Sequence, residues 1–264
     1  MAKALALVLA LIVSATLLLF VARFWWMPPV ASAAGSAIDQ EFTTTLVILG
    51  VVFVAAQIGL ALFVFRFRGN NVRHSEGHRA AEIGWTIVTA ALFIGLSLAG
   101  EHTWAQLRRP PLPTKDDVEV EVTGTQFVWY FRYPGPDGKF GRINFKDVDA
   151  SLGSASALGL DRSDPSAKDD IVSNALVIPV DRDIRLQLRA QDVIHSFFVP
   201  ELRLKQDAVP GLNVEARFHA TRTGDYEIVC AELCGLGHYR MHGALKVVSQ
   251  DDYSRWLTQQ EAAQ

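Results

Sequence analysis

DYEIVCAELCGLGHYRMHGALKVV, Asp225 to Val248, reads as strand, loop, strand, and its loop holds the only two cysteines of the chain. The flanking runs DYEIVC and GALKVV are short and rich in β-formers, as strands bounded by turn residues are. Between them Cys230 and Cys234 are followed by His238 and Met241. This order lets one loop wrap a metal at the end of a barrel. A neighbouring strand, DVIHSFF, can supply a further imidazole from His195.

Three chemistries compete for the loop. An even pair of cysteines in an oxidising compartment forms a disulfide in most proteins. A structural zinc site uses thiolate and imidazole at similar spacing but has no use for a thioether. Copper takes thiolate, thioether and imidazole together. Taken singly, Met241 is core filler, His238 a surface imidazole and His195 a buried, hydrogen-bonded histidine. Only the constellation raises them, and it favours metal over the disulfide and copper over zinc. A mononuclear blue-copper site uses one cysteine with two histidines and a weak axial methionine, so the second thiolate is surplus around one metal. Thiolates bridging two coppers account for it, with His195, His238, Met241 and a loop carbonyl completing the count. His219 and His242 have no matching role.

Working outward, VEVEVT (118–123) alternates as a half-exposed strand does. QFVWYFRY (126–133) is a dense aromatic strand ending in the turn PGPDGKFG. Residues 135–172 are rich in Gly, Ser and Asp and read as a surface excursion. ALVIPV, DIRLQLRA, VIHSFFV and VEARFHA add strands at the spacing of a sandwich or barrel. DDYSRWLTQQ (251–260) is a closing helix with an Asp N-cap. No internal repeat interrupts this pattern.

The first 105 positions are different in kind. Residues 4–22 are apolar behind Lys3 and end at Arg23, Trp25 and Trp26, which suit an interfacial anchor. This favours a retained transmembrane helix over a signal peptide cleaved in VASAAG near Ala33. Phe42 to Phe65 carries no charge and exceeds the hydrocarbon core at about 1.5 Å per residue. Ile83 to Ala99 spans as well. The loop between these two runs bears Arg66, Arg68, Arg73 and Arg79 against Glu76 and Glu82, which places it in the cytoplasm. His74, His78 and His102 then meet water or headgroups. RRPPLP (108–113) ends the last helix and links it to the soluble half. A formal net charge of −3 without any long like-charge block gives no footing for a nucleic-acid partner.

The loop motif resembles that of subunit II of the haem-copper cytochrome c oxidases, CxExCGxxHxxM, here Cys230, Glu232, Cys234, Gly235, His238 and Met241. The stretch DVIHSFFVPELRLKQDAVPG (Asp192 to Gly211) is similar to the family segment carrying the first histidine ligand, here His195. The resemblance implies a membrane-anchored all-β protein, with an N-terminal helical hairpin followed by a cupredoxin-like Greek-key β-barrel. It divides the chain into an N-terminal transmembrane helix or signal peptide (1–33), the transmembrane hairpin (34–107), the cupredoxin domain (114–250) and a C-terminal helix and tail (251–264). It implies a binuclear copper A centre. Cys230 and Cys234 bridge the metals, His195 and His238 bind one each, Met241 is a weak ligand, and Glu232 gives its backbone carbonyl. The Glu232 side chain, with Asp207 nearby, is then a magnesium ligand at the interface with subunit I. EIGWT matches a family ExxWT whose glutamate, here Glu82, marks the mouth of a proton path; a helix N-terminus would stabilise that carboxylate in any case. The family's aromatic WxW pair, where electrons arrive from cytochrome c, is replaced by Phe127 and Trp129. The family activity is transfer of electrons to haem in subunit I, for reduction of oxygen to water coupled to proton translocation. Its partners are subunit I and the other oxidase subunits, cytochrome c or a similar one-electron carrier, and membrane lipid. Its place is the bacterial inner membrane, with the soluble domain on the periplasmic side. No CxxCH occurs, so no haem is covalently attached. Quinol oxidase relatives lack the copper ligands, and nitrous oxide reductases carry this site beside a propeller. A membrane-anchored copper or thiol-disulfide protein of another respiratory complex is the alternative reading.

Overall fold

The structure, a computed structural model, describes residues 2–22, 27–67, 77–108, 114 and 116–262. Arg23, Trp25, Trp26, Arg68, Arg73, His74, Glu76 and residues 109–113 of the linker lie outside the described residues. The chain divides into two units, one helical and one of β-structure.

The helical unit contains α1 (Ala2–Val21), α2 (Gly35–Arg66) and α3 (Arg79–Arg108). Helices α2 and α3 are long and apolar enough to cross a membrane. Their large side chains, Leu62, Phe63, Phe93 and Leu98 among them, are exposed. A helix whose apolar residues face outward is built for lipid or for other helices rather than for a soluble core. The apolar stretch of α1, Leu7–Val21, is shorter.

The β unit begins with residues 29–36 and resumes after the linker. Ala31 and Ser32 are buried in it. Ser32 bridges to Ala220, the Ala31 amide donates to the Glu201 carbonyl, and Ser32 Oγ donates to the Leu202 carbonyl at 2.7 Å. The VASAAG stretch is thus part of this unit's packing.

Among the described residues, ten strands form two sheets. They are β1 (Val118–Thr125), β2 (Val128–Tyr133), β3 (Ile171–Ser173), β4 (Ala175–Pro179), β5 (Asp183–Ala190), β6 (His195–Val199), β7 (Leu204–Ala208), β8 (Val214–His219), β9 (Gly224–Cys230) and β10 (His242–Val248). One sheet runs β3-β2-β1-β5-β8 and the other β4-β10-β9-β6-β7. The pairs β1–β5 and β4–β10 are parallel and the rest antiparallel. Alternate residues point inward: Val120 and Val122 from β1, Ile184, Leu186 and Leu188 from β5, and Phe197 and Val199 from β6 are all fully buried. Each such side chain contributes about 1.5–3 kcal/mol of burial free energy. This is the cupredoxin-like sandwich that the resemblance implies.

Three expectations change in detail. VEVEVT is not half exposed, because Glu121 is itself 2 % exposed, paired with the guanidinium of Arg132. The 135–172 excursion is held down at Leu158, Leu160 and Ala167, which are buried. The cap of the C-terminal helix, α4 here (Gln250–Ala262), is Ser249 rather than an aspartate. Its Oγ accepts from the Asp252 amide while donating to the Asp252 carboxylate, a reciprocal cap.

Candidate metal centre

The proposed ligands come from two adjacent strands, β6 and β9, and the loop that joins β9 to β10. In β6, His195 is fully buried and lies opposite Ala208 of β7, while Phe197 pairs with Cys230 at the end of β9. The β9–β10 loop leaves at Cys230 and returns at Met241, whose carbonyl accepts from the Cys230 amide at 3.2 Å. Within the loop the His238 amide donates to the Gly235 carbonyl and the Met241 amide to the His238 carbonyl, each at 3.1 Å. These bonds curl the loop back over its own cysteines. Gly235 sits at φ 136°, a conformation side-chain-bearing residues rarely adopt.

Both cysteines are free and buried, with sulfurs 3.9 Å apart, about twice a disulfide bond length. His195 Nδ1 lies 4.0 Å from Cys230 Sγ, and His238 Nδ1 lies 3.6 Å from Cys234 Sγ. Met241 Sδ is 3.7 Å from Cys234 Sγ, and the Glu232 carbonyl oxygen is 3.2 Å from Cys230 Sγ. Donors about 2.0–2.3 Å from a shared ion are separated by spacings of this order. Cys230 collects His195 and the Glu232 carbonyl, and Cys234 collects His238 and Met241. Among the described residues, His195, Cys230 and Cys234 form a cluster tight enough to hold a metal ion. Burial, then the neighbouring Cys230, pushes the Cys234 thiol up to about 11, so metal uptake at neutral pH displaces its proton.

The sequence reading missed the residues that hold these ligands in place. Asp192 Oδ1 lies 2.8 Å from His195 Nε2, leaving Nδ1 turned to Cys230. Its other oxygen accepts from the Gln126 amide at 2.7 Å. Burial opposes the Asp192 charge, yet the Gln126 amide, the His195 ring and the Val193 amide outweigh it and lower its carboxyl below the usual range. Gln126 in turn donates through Nε2 to the Cys234 carbonyl. Asp192 could have been suspected from its place three residues before His195; Gln126 carried no signal.

Trp129 is 1 % exposed and packs edge-on against His195 (5.9 Å between ring centres) and Phe197 (5.8 Å). Phe127 is half-buried on the metal loop, and a methyl group built on Gly237 would lie 2.5 Å from its ring. The two aromatics therefore occupy different places, one in the core and one at the loop surface. Asp207, on β7, accepts from Ser196 Oγ at 2.6 Å and lies 3.5 Å from Lys205 Nζ. Glu232 is exposed. Glu82 sits in the first turn of α3, where its carbonyl accepts from Thr86 Oγ at 2.7 Å.

The family profile described as cytochrome c oxidase subunit II, periplasmic domain, matches residues 118–248. The alternative cytochrome c oxidase subunit 2 of Bradyrhizobium diazoefficiens is 36 % identical over 98 % of this chain and 92 % of its own length. The chain belongs to the cytochrome c oxidase subunit II family. Subunit 2 of the Cereibacter sphaeroides oxidase is 32 % identical over 83 % of this chain and 73 % of its own. Among solved structures, the periplasmic domain of subunit II from Bradyrhizobium japonicum aligns with a TM-score of 0.42 at 31 % identity, covering 58 % of this chain and 99 % of that domain. As a subunit II, the chain is a membrane-anchored electron-transfer subunit of an oxidase complex, and its buried His195–Cys230–Cys234 cluster points to copper binding.

Proposed function

We propose that this subunit II holds a binuclear copper A centre, receives electrons from cytochrome c or a similar one-electron carrier, and passes them to haem in subunit I. The observation that carries this reading is the pair of free, buried cysteine sulfurs 3.9 Å apart, with two imidazoles, a thioether and a loop carbonyl about them. Each metal would be held by the two thiolates together with one of His195 and His238 and one of Met241 and the Glu232 carbonyl. Bound copper supplies a one-electron acceptor and donor there, without any substrate bond being broken.

The chain's own residues then do three things. Strands β6 and β9 fix His195 and Cys230 in a sheet that does not rearrange, so a change of charge at the site demands little movement. Asp192 fixes the orientation of His195 from behind, as outer-shell carboxylates do for metal-bound imidazoles. The buried Cys234, Met241, Trp129 and Phe197 keep water away from the centre. Phe127, on the surface of the loop, marks where electrons arrive, and Trp129 adjoins the first histidine.

The finer reading extends to the rest of the chain. The Glu232 side chain and Asp207 contribute to a magnesium site against subunit I, and Glu82 takes up protons on the cytoplasmic side of α3. Residues 34–107 cross the bacterial inner membrane in contact with lipid and partner subunits. The cupredoxin domain, 114–250, stands on the periplasmic side and is followed by the C-terminal helix and tail, 251–264.

Cys234→Ser tests the bridging role. The variant is expected to lose the shared-electron spectrum and to bind at most one copper per chain. A variant that kept two coppers and the wild-type spectrum would contradict it.

A further inference from the structure

Residues 29–36, between the apolar runs of α1 and α2, are an integral part of the β unit. Ser32 forms an antiparallel bridge with Ala220. On either side of it the Ala33 amide donates to the His219 carbonyl at 3.0 Å, and the Thr221 amide donates to the Ala31 carbonyl at 2.9 Å. Residues 31–33 thus pair with the chain leaving β8, the edge strand of its sheet. They also reach the turn Pro200–Leu202 that follows β6. There the Ala31 amide donates to the Glu201 carbonyl at 2.8 Å and Ser32 Oγ to the Leu202 carbonyl at 2.7 Å. Ser32 Oγ in turn accepts from the amide of Gly35, the first residue of α2, at 3.1 Å. Ala31 and Ser32 are buried, as are Leu202 and Ala220 beneath them. A methyl group built on Gly35 would lie 2.6 Å from Val30 and 3.4 Å from Arg203, so the corner is closely packed.

A leader peptidase cuts behind small residues in an A-x-A-like pattern. Ala31-Ser32-Ala33 has that pattern, and so do the overlapping triplets that follow it as far as Ala37. Upstream, RFWWMPP (23–29) contains no glycine, alanine or serine. Every such site between α1 and Asp39 therefore lies in the strap that the β unit pairs and buries, or at its end. A cut at any of them removes Ala31 and Ser32. The Glu201 and Leu202 carbonyls would then lose their donors, the Thr221 amide its acceptor and Ala220 its cover. Buried backbone groups left without partners destabilise the folded state. We propose that residues 29–36 are a permanent strap of the β unit, that the Ala33 cleavage site is not used, and that the mature chain keeps α1. Processing and folding exclude one another here. A chain cut at this site yields a β unit short of its strap, and the chain that completes the β unit carries α1 with it.

Two measurements on the full chain test this. Expressed in a Gram-negative host with its own leader peptidase and purified from the membranes in detergent, the protein is expected to give an intact mass that starts at Met1 or Ala2. A chain that begins anywhere downstream of Ala2 overturns the proposal. In the same protein the amides of Ala31, Ala33 and Thr221 should exchange hydrogen at least about a hundredfold slower than in an unstructured chain. Ser32→Ala, which removes the side-chain bonds to Leu202 and Gly35, should speed that exchange at least about threefold. Exchange at the unstructured rate in the wild type overturns the strap, and so does a Ser32→Ala variant with wild-type rates. Neither measurement needs copper, so failure of the copper reading and failure of this one are distinguishable.

Discussion

Gly124 stands opposite Trp129 in the β1–β2 register, beneath the first proposed copper ligand. A methyl group built there would lie 2.9 Å from Trp129 and 3.0 Å from the His195 ring. The position needs glycine for space. Gly124→Ala is expected to push the imidazole away from Cys230, with an overpacking cost of about 1–3 kcal/mol. Copper content and the melting temperature should both fall, and wild-type values for both would show that the imidazole has room to spare. At this scale the candidate ligands were legible in the sequence, because Cys230, Cys234, His238 and Met241 are close neighbours along one loop and their chemistry is distinctive. Their supports were not. Asp192 and Gln126 meet across 66 positions of chain, and Gly124 contributes only an absence of side chain.

Among the elements, β1, β2 and the long excursion share a buried charge network. Arg132 Nη1 lies 3.2 Å from Glu121, and its guanidinium also donates to the Asp170 carboxylate and the Gly141 carbonyl. All three charged side chains are almost completely buried. The Gly141 amide donates to Asp170 at 3.0 Å, so the network ties both ends of the excursion to the sheet. Burial raises the Asp170 carboxyl above its ordinary range, against the pull of Arg132. Arg132→Met would leave the buried Asp170 carboxylate without its cation and Glu121 with Arg189 alone, at about 3–5 kcal/mol. Thermal unfolding should shift down accordingly, and proteolysis should cut first within residues 135–172; an unchanged melting curve would mean that the network adds nothing. The strands with clean alternation, such as DIRLQLRA, were legible from their period. LKQDA of β7 was not, because its polar side chains give no apolar stripe and only pairing with β6 makes it a strand. The charge network was hidden as well, since Glu121 occupies what alternation assigns to a solvent face.

Across the whole molecule, sequence and structure divide the work in the same way. Helices with exposed apolar residues anchor the chain, and a two-sheet domain carries the proposed metal ligands. The helices were legible from run length alone, whereas the inclusion of residues 29–36 in the β unit was not, because small residues such as Ala31 and Ser32 signal neither strand nor core. The central claim is that two thiolates held 3.9 Å apart serve two coppers rather than one metal or a disulfide. Copper stoichiometry with the paramagnetic resonance spectrum of the intact chain tests it most directly. The account predicts two coppers per chain and the seven-line hyperfine pattern of one electron shared between two nuclei. One copper with a four-line pattern, bound zinc, or a Cys230–Cys234 disulfide that survives reductant would contradict it.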